Sequence, residues 1–178
     1  MKTDQIFKPK LEKSSDFKFD SAVVDVFDDM VVRSVPMYLE FQRMITEIAS
    51  DYAKPDTSLY DLGCSTGTTL VSLNPVMDKS IRFVGVDESL EMLESCRKNL
   101  IDKGVTRQFE MVPTDLNKKI DITNASVVVL CLTLQFVRPI NRLRLIKSIR
   151  EQLNPNGCII IIEKVLGENA EFNRKFIK

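Results

Sequence analysis

The chain has 178 residues, 25 of them basic and 25 acidic, is 44% hydrophobic, and contains no histidine and no tryptophan. That length favours a single domain, and the balanced charge excludes a broad nucleic-acid face or a patch for anionic membranes, since both need excess Lys and Arg. The absence of histidine removes the commonest general base and metal ligand.

The longest apolar runs, such as Ser126–Phe136 and Cys158–Ile162, fall far short of the ~20 residues that span a bilayer. The first residues, MKTDQIFKPKLEKSSDF, show no apolar stretch of the signal-peptide kind. Cys64, Cys96, Cys131 and Cys158 stand singly inside predicted elements without CxxC pairing, which argues against disulfides and against zinc. The expectation is a soluble, cytoplasmic α/β protein without a metal.

Residues 1–18 are polar and lysine-rich and read as a flexible N-terminal arm, with the domain over 19–178. From Asp20, a plausible N-cap, Val23, Phe27, Met30 and Val31 recur at helical spacing. Pro36 suits the first turn of a second helix with an apolar stripe of Phe41, Met44, Ile45, Ile48 and Tyr52. Strand and helix then alternate. Ser58–Leu62 reads as a strand, Gly63–Gly67 as a turn, Thr68–Val76 as a helix, and Ile81–Val86 as a strand ending in Asp87-Glu88. Ser89 caps a helix carrying Leu90, Leu93, Cys96 and Leu100 that Gly104 closes. Gln108–Val112 is a third strand ending near Asp115, and the apolar Ser126–Leu132 is a central strand covered on both faces. Pro139 opens a helix with Ile140, Leu143, Ile146, Ile149 and Leu153; Asn154–Gly157 is a turn; Cys158–Ile162 is the fifth strand; and another helix begins at 167.

Strands separated by helices of this length imply a doubly wound, mostly parallel Rossmann-like sheet with two helices before it. The last strand reads as buried on both faces although nothing predicted after it pairs with its far edge. Either a partner covers that edge or the native chain is longer, and the second is the expectation here.

In such a sheet, ligands bind beyond the carboxyl ends of the strands where strand order reverses. The loop there is Tyr60-Asp-Leu-Gly-Cys-Ser-Thr-Gly67. Gly63 and Gly67 permit a tight turn and close backbone approach, and free amides at the next helix start favour an anionic group. Asp87 lies twenty residues beyond Gly67, about where an acid accepts hydrogen bonds from ribose hydroxyls. Ser65 replaces the second glycine of the dinucleotide fingerprint, which disfavours a pyrophosphate. An adenosyl group with an amino-acid tail suits the loop better: ribose on Asp87, the tail's carboxylate and ammonium near Gly63–Ser65 and Asp61, and the adenine amino group on Asp115. Each acid is also a plausible turn or helix cap taken singly; jointly, the three places are requirements of one ligand.

The blocks Phe27-Asp-Asp-Met-Val-Val-Arg-Ser-Val-Pro36 with Tyr38, Tyr60–Gly67, Leu130-Cys-Leu-Thr-Leu-Gln-Phe136 and Leu153-Asn-Pro-Asn-Gly157 with Glu163-Lys164 closely resemble the carboxy-S-adenosyl-L-methionine synthase family of the class I S-adenosylmethionine-dependent methyltransferase superfamily. The resemblance runs over nearly the whole chain from about residue 5. It implies the class I methyltransferase-like fold and a transferase that moves no methyl group. In that family prephenate loses CO2, which the S-methyl carbon captures, giving phenylpyruvate and carboxy-S-adenosyl-L-methionine for modification of the tRNA wobble uridine to a 5-oxyacetic acid. The chemistry requires a dry pocket and cationic groups for carboxylates. It further implies S-adenosyl-L-methionine or its carboxylated form as the bound cofactor, prephenate as the small-molecule partner, no direct nucleic-acid or membrane contact, no metal, and a homodimer.

Matching motif to motif, the cofactor contacts implied by the resemblance are Tyr38, Gly63, Cys64, Ser65, Asp87, Glu88, Asp115, Leu116 (through its backbone) and Cys131. Cys131 stands where the family usually has asparagine. The family's arginine for the transferred carboxylate lies beyond residue 178, so no catalytic residue is assigned. Arg33, Thr133 and Gln135 are substrate-pocket candidates. For Arg33 an ion pair with a nearby aspartate is an equal alternative, and for Thr133 and Gln135 the alternative is local bonding at a strand end. Rival readings are an ordinary methyltransferase and a non-catalytic cofactor-binding fragment.

Overall fold

A computed structural model describes residues 27–165, 167–171 and 174. The expected arm over 1–18 and the expected helix start at Asp20 with Val23 therefore lie outside the described residues. The elements are α1 (Phe27–Ser34), α2 (Tyr38–Tyr52), β1 (Ser58–Leu62), α3 (Thr68–Leu73), β2 (Arg82–Asp87), α4 (Leu90–Asp102), β3 (Phe109–Pro113), β4 (Ala125–Cys131), α5 (Pro139–Gln152) and β5 (Leu153–Ile162), with a single 3-10 turn at Leu134–Phe136.

The five strands form one sheet in the order β3-β2-β1-β4-β5, and every neighbouring pair is parallel. This is the expected doubly wound class I methyltransferase-like architecture. Strand order reverses between β1 and β4. All five residues of β1 are buried, as a central parallel strand with helices on both faces requires.

Successive side chains of a strand point to opposite faces, and the core divides accordingly. On one face Leu59, Phe83, Val127 and Val129 pack with Ile45 and Ala49 of α2, Leu70 and Leu73 of α3, and Cys96 and Leu100 of α4. On the other, Tyr60, Leu62, Val84, Val128 and Leu130 pack with Leu145 and Ile149 of α5. Asp61, next to Leu59 by two along β1, faces the α2 side at the carboxyl end of its strand.

The helix between β2 and β3 forms as its sequence dictates. The Ser89 Oγ accepts a hydrogen bond from the Met92 N–H at 3.2 Å, satisfying one orphan donor of the first turn, and Gly104 ends it with φ 70°. Five expectations are corrected. Pro36 lies in the turn before α2, whose N-cap is Met37 in the left-handed region. The buried stripe of α2 is Gln42, Ile45 and Ala49, while Met44, Ile48 and Tyr52 are exposed. The small Ala49 allows close approach to the sheet, and Gln42 turns toward a polar region that periodicity alone does not reveal. On α5, Leu145 and Ile149 are buried whereas Ile140 and Leu143 are exposed. Arg142 takes the place on that face expected of an apolar residue, because its guanidinium donates to the carbonyls of Val137 (2.9 Å) and Gln135 (3.1 Å). Finally, α3 stops at Leu73, and Asn154–Gly157 forms a register shift inside β5. Beyond 165, Ala170, Glu171 and Arg174 are helical.

Candidate functional site

At the carboxyl ends of β1, β2 and β4, where strand order reverses, a cavity of about 250 Å³ opens. The glycine turn is its floor. Gly63 has φ 78° and Gly67 φ 85°, and a Cβ at either would meet another side chain: Thr133 at 2.5 Å from Gly63, Cys96 Sγ at 2.6 Å from Gly67. The turn thus needs glycine both for its backbone and for its packing. Its first amides are already spent, Gly63 and Cys64 donating to the Val86 carbonyl at 2.7 and 3.0 Å.

Tyr38, Gly63, Cys64, Ser65, Asp87 and Glu88 all line this cavity. So do Asp115, Leu116, Cys131, Thr133 and Gln135. Arg33 does not line it: the side chain is exposed and pairs with Asp29 at 3.1 Å, one helical turn away. Thr133 is buried and Gln135 exposed; each also makes the local bond its alternative reading described, to the Cys131 carbonyl (3.2 Å) and the Leu132 carbonyl (2.8 Å).

The carboxylates differ in setting. Asp87 ends β2 and bridges two loops: one oxygen accepts from the Ser65 N–H and the other from the Ser89 N–H, both at 3.0 Å. Burial raises its pKa, and the backbone N–H groups of Ser89, Ser65 and Glu88 oppose the rise. A carboxylate has about four lone-pair sites, so acceptor capacity is left for hydroxyl groups in the cavity. Asp115 is a turn cap as well as a lining residue. Its Oδ1 accepts from Asn117 N (2.8 Å) and Nδ2 (3.0 Å), and the Asn117 N–H above all holds its carboxyl below the usual range.

Asp61 is not among the residues that line the cavity, but it lies close enough to Tyr38 and Cys131, which do, for its charge to act on both. It is 1% exposed, its Oδ2 has no hydrogen-bond partner among the described residues, and burial, helped by the charge of Asp87, pushes its pKa up to about 7. An ionised carboxylate without a partner is costly there. The same surroundings raise the Tyr38 phenol well above its ordinary value, first by burial and then through Cys131 and Asp61. They push the Cys131 thiol up to about 12, so it is a neutral, weak hydrogen-bonding group at neutral pH. The Gln42 Nε2 approaches its sulfur at 3.8 Å.

Sequence reasoning missed the first helix as a wall. Phe27, Met30 and Val31 of α1, with Val35 after it, line the cavity. The Asp28 Oδ1 accepts from the Thr66 hydroxyl at 2.5 Å and the Thr68 hydroxyl at 3.3 Å. The only signal was that Phe27–Pro36 is a block carrying the family resemblance, which says nothing of where the block packs. Among the described residues no Lys or Arg lines the cavity. An acid-bordered hollow with an orphaned buried carboxylate behind it suits a cationic ligand bearing hydroxyls, which is the chemistry of S-adenosyl-L-methionine. No described helix is long and apolar enough to cross a membrane.

Comparison with known proteins gives the same direction. Residues 59–157 match the family model described as a methyltransferase domain. Among solved structures, the chain is similar to a Methanococcus maripaludis protein assigned to the S-adenosyl-L-methionine-dependent methyltransferases, with TM-score 0.66 and 20% identity over 92% of this chain and 72% of that one. It is similar also to the N-methyltransferase NodS from Bradyrhizobium japonicum WM9 in complex with S-adenosyl-L-homocysteine, with TM-score 0.63 and 14% identity over 78% of this chain and 67% of that one. These likenesses concern the fold. A carboxy-S-adenosyl-L-methionine synthase from Methylococcus capsulatus is 46% identical over 100% of this chain and 74% of its own length. The protein of the same name from Glaesserella parasuis is 38% identical over 99% of this chain and 73% of its own length. Identity of that extent, running through the glycine turn and both helices before it, places the chain in the carboxy-S-adenosyl-L-methionine synthase family.

Proposed function

We propose that this chain binds S-adenosyl-L-methionine in the cavity and is a carboxy-S-adenosyl-L-methionine synthase, with prephenate as carboxyl donor and phenylpyruvate as second product. The carboxylated cofactor would serve modification of the tRNA wobble uridine by another enzyme in the cytoplasm, without direct RNA contact here. The observation that carries the reading is the meeting of the glycine turn, Asp87 and Asp115 on one cavity in a chain so similar to synthases of that name.

When bound, the cofactor supplies a sulfonium whose attached methyl carbon is acidified. The protein's residues would divide the rest. Asp87 would accept the ribose hydroxyls and Asp115 the adenine amino group, while Asp61, buried beside the cavity rather than in its lining, would draw the ammonium of the amino-acid tail to that end by its charge. Leu116 and the apolar residues of α1 would exclude water, which matters because water competes for reactive carbon centres. Tyr38 would close the tail end of the pocket. No Lys or Arg among the described residues lines the cavity, so the carboxylates of the donor call for a cation from outside that lining. A second copy of the chain in a homodimer is one source.

The deciding experiment incubates the protein with S-adenosyl-L-methionine and prephenate and weighs the products by mass spectrometry. A cofactor heavier by one carboxyl group supports the proposal. S-adenosyl-L-homocysteine would make the protein a methyltransferase instead, and calorimetric binding without turnover would make it a cofactor-binding protein.

A further inference from the structure

The first helix has no buried residue, yet Phe27, Met30 and Val31 present an apolar wall to the cavity. A helix in that position gains little from the core, so what fixes it over the glycine turn must be specific. Asp28 provides the link. Its Oδ1 receives hydrogen bonds from Thr66 Oγ1 in the turn and Thr68 Oγ1 at the start of α3. Two hydroxyls, one in the turn and one at the start of the next helix, thus converge on a single carboxylate oxygen of α1.

We propose that Asp28 is a positioning residue that holds α1 closed over the glycine turn and so keeps the apolar wall of the cavity in place for bound S-adenosyl-L-methionine. It touches no reacting atom; it sets the wall of the cavity. This rests on the proposed occupancy of the cavity by that cofactor. Its physical requirement is an acceptor oxygen at one place rather than a negative charge, because both partners are neutral hydroxyls. Asparagine therefore substitutes and alanine does not.

The test measures two things on the full chain: calorimetric affinity for S-adenosyl-L-methionine, and hydrogen exchange of the α1 amides without ligand. For Asp28→Ala we expect affinity to fall about tenfold and α1 exchange to quicken, while Asp28→Asn stays within about threefold of the parent. Thr66→Val combined with Thr68→Val reproduces the alanine effect, and adding Asp28→Ala to that pair costs little more, as a shared network dictates. The valine pair also serves if Asp28→Ala does not fold. Parent-like affinity together with parent-like α1 exchange in either variant would overturn the proposal. So would an Asp28→Asn variant as impaired as the alanine one, since the charge would then be what matters. If the parent itself bound no cofactor, the proposed function would fall, whereas the exchange of α1 in Asp28→Ala would still decide the role of Asp28.

Discussion

Gly63 and Thr133 face each other across the carboxyl ends of β1 and β4 so closely that a Cβ on the glycine would lie 2.5 Å from both Oγ1 and Cγ2 of the threonine. Thr133 is buried and its hydroxyl donates to the Cys131 carbonyl, so it has nowhere to retreat. Gly63 also sits at φ 78°, where an L side chain is strained. Gly63→Ala should therefore lower stability by about 1–3 kcal/mol and abolish measurable cofactor binding. Adding Thr133→Ala should recover part of the stability and little of the binding, because the clash is relieved and the φ strain is not. Chemical denaturation of the single and double variants checks both halves.

Arg107 is 8% exposed and serves four carbonyls: Asn74 and Met77 from one nitrogen, Asp78 and Ile81 from another. Its third nitrogen donates to Asn74 Oδ1 at 3.0 Å, and the guanidinium lies 4.3 Å from the centre of the Phe83 ring. This one side chain closes the segment between α3 and β2. Arg107→Ala strands several of those carbonyls, and the loss expected is about 3 kcal/mol or more. Arg107→Lys should recover less than half, since a point-like ammonium does not reproduce a planar fork. Thermal melts rank the three proteins.

Alternation of apolar segments with turn residues was enough to give the parallel sheet, the Ser89 cap and the glycine turn, because these are local patterns. The convergence of the turn with Asp87 and Asp115 followed from topology alone. The buried faces of α2 and α5 did not follow, since Gln42 and Arg142 occupy places that a count of apolar residues assigns to Met44 and Leu143. Nor was Arg107 legible: four of its partners are backbone carbonyls, which have no sequence signature. Arg33 shows the limit from the other side. A family block suggested the pocket, but an aspartate four residues earlier was within reach, and the nearer partner took it.

Cys131 lines the cavity at the place where the family resemblance leads to the expectation of an amide. Its thiol stays protonated at neutral pH and, among the described residues, has the Gln42 Nε2 at 3.8 Å as its side-chain partner. Replacing it by asparagine supplies both a donor and an acceptor in a half-buried place. Cys131→Asn should tighten S-adenosyl-L-methionine binding by about three- to tenfold, read by calorimetry. An unchanged dissociation constant would mean that the thiol costs the site nothing.

Asp61 makes cofactor binding pH-dependent with a defined sign. Its folded-state pKa of about 7 lies above the ordinary 3.8, so the folded protein holds this proton when the unfolded chain has released it. Stability of the free protein then falls as pH rises from about 4 to 7 and is flat above, for this group. An ammonium arriving beside Asp61 favours the ionised form, so binding below pH 7 expels a proton and affinity climbs with pH by up to about tenfold per unit. The climb ends near 7. Above about 7.7 an α-amino group loses its own charge, which sets the useful window at about 5.5 to 7.5. Calorimetry in buffers of different ionisation enthalpy should register nearly one proton released at the low end and about a quarter of one at the high end. Asp61→Asn should bind more weakly, show no such release, and be more stable than the parent at pH 8, where the parent carries a buried charge. A parent protein whose affinity is level across that window would place the ammonium elsewhere.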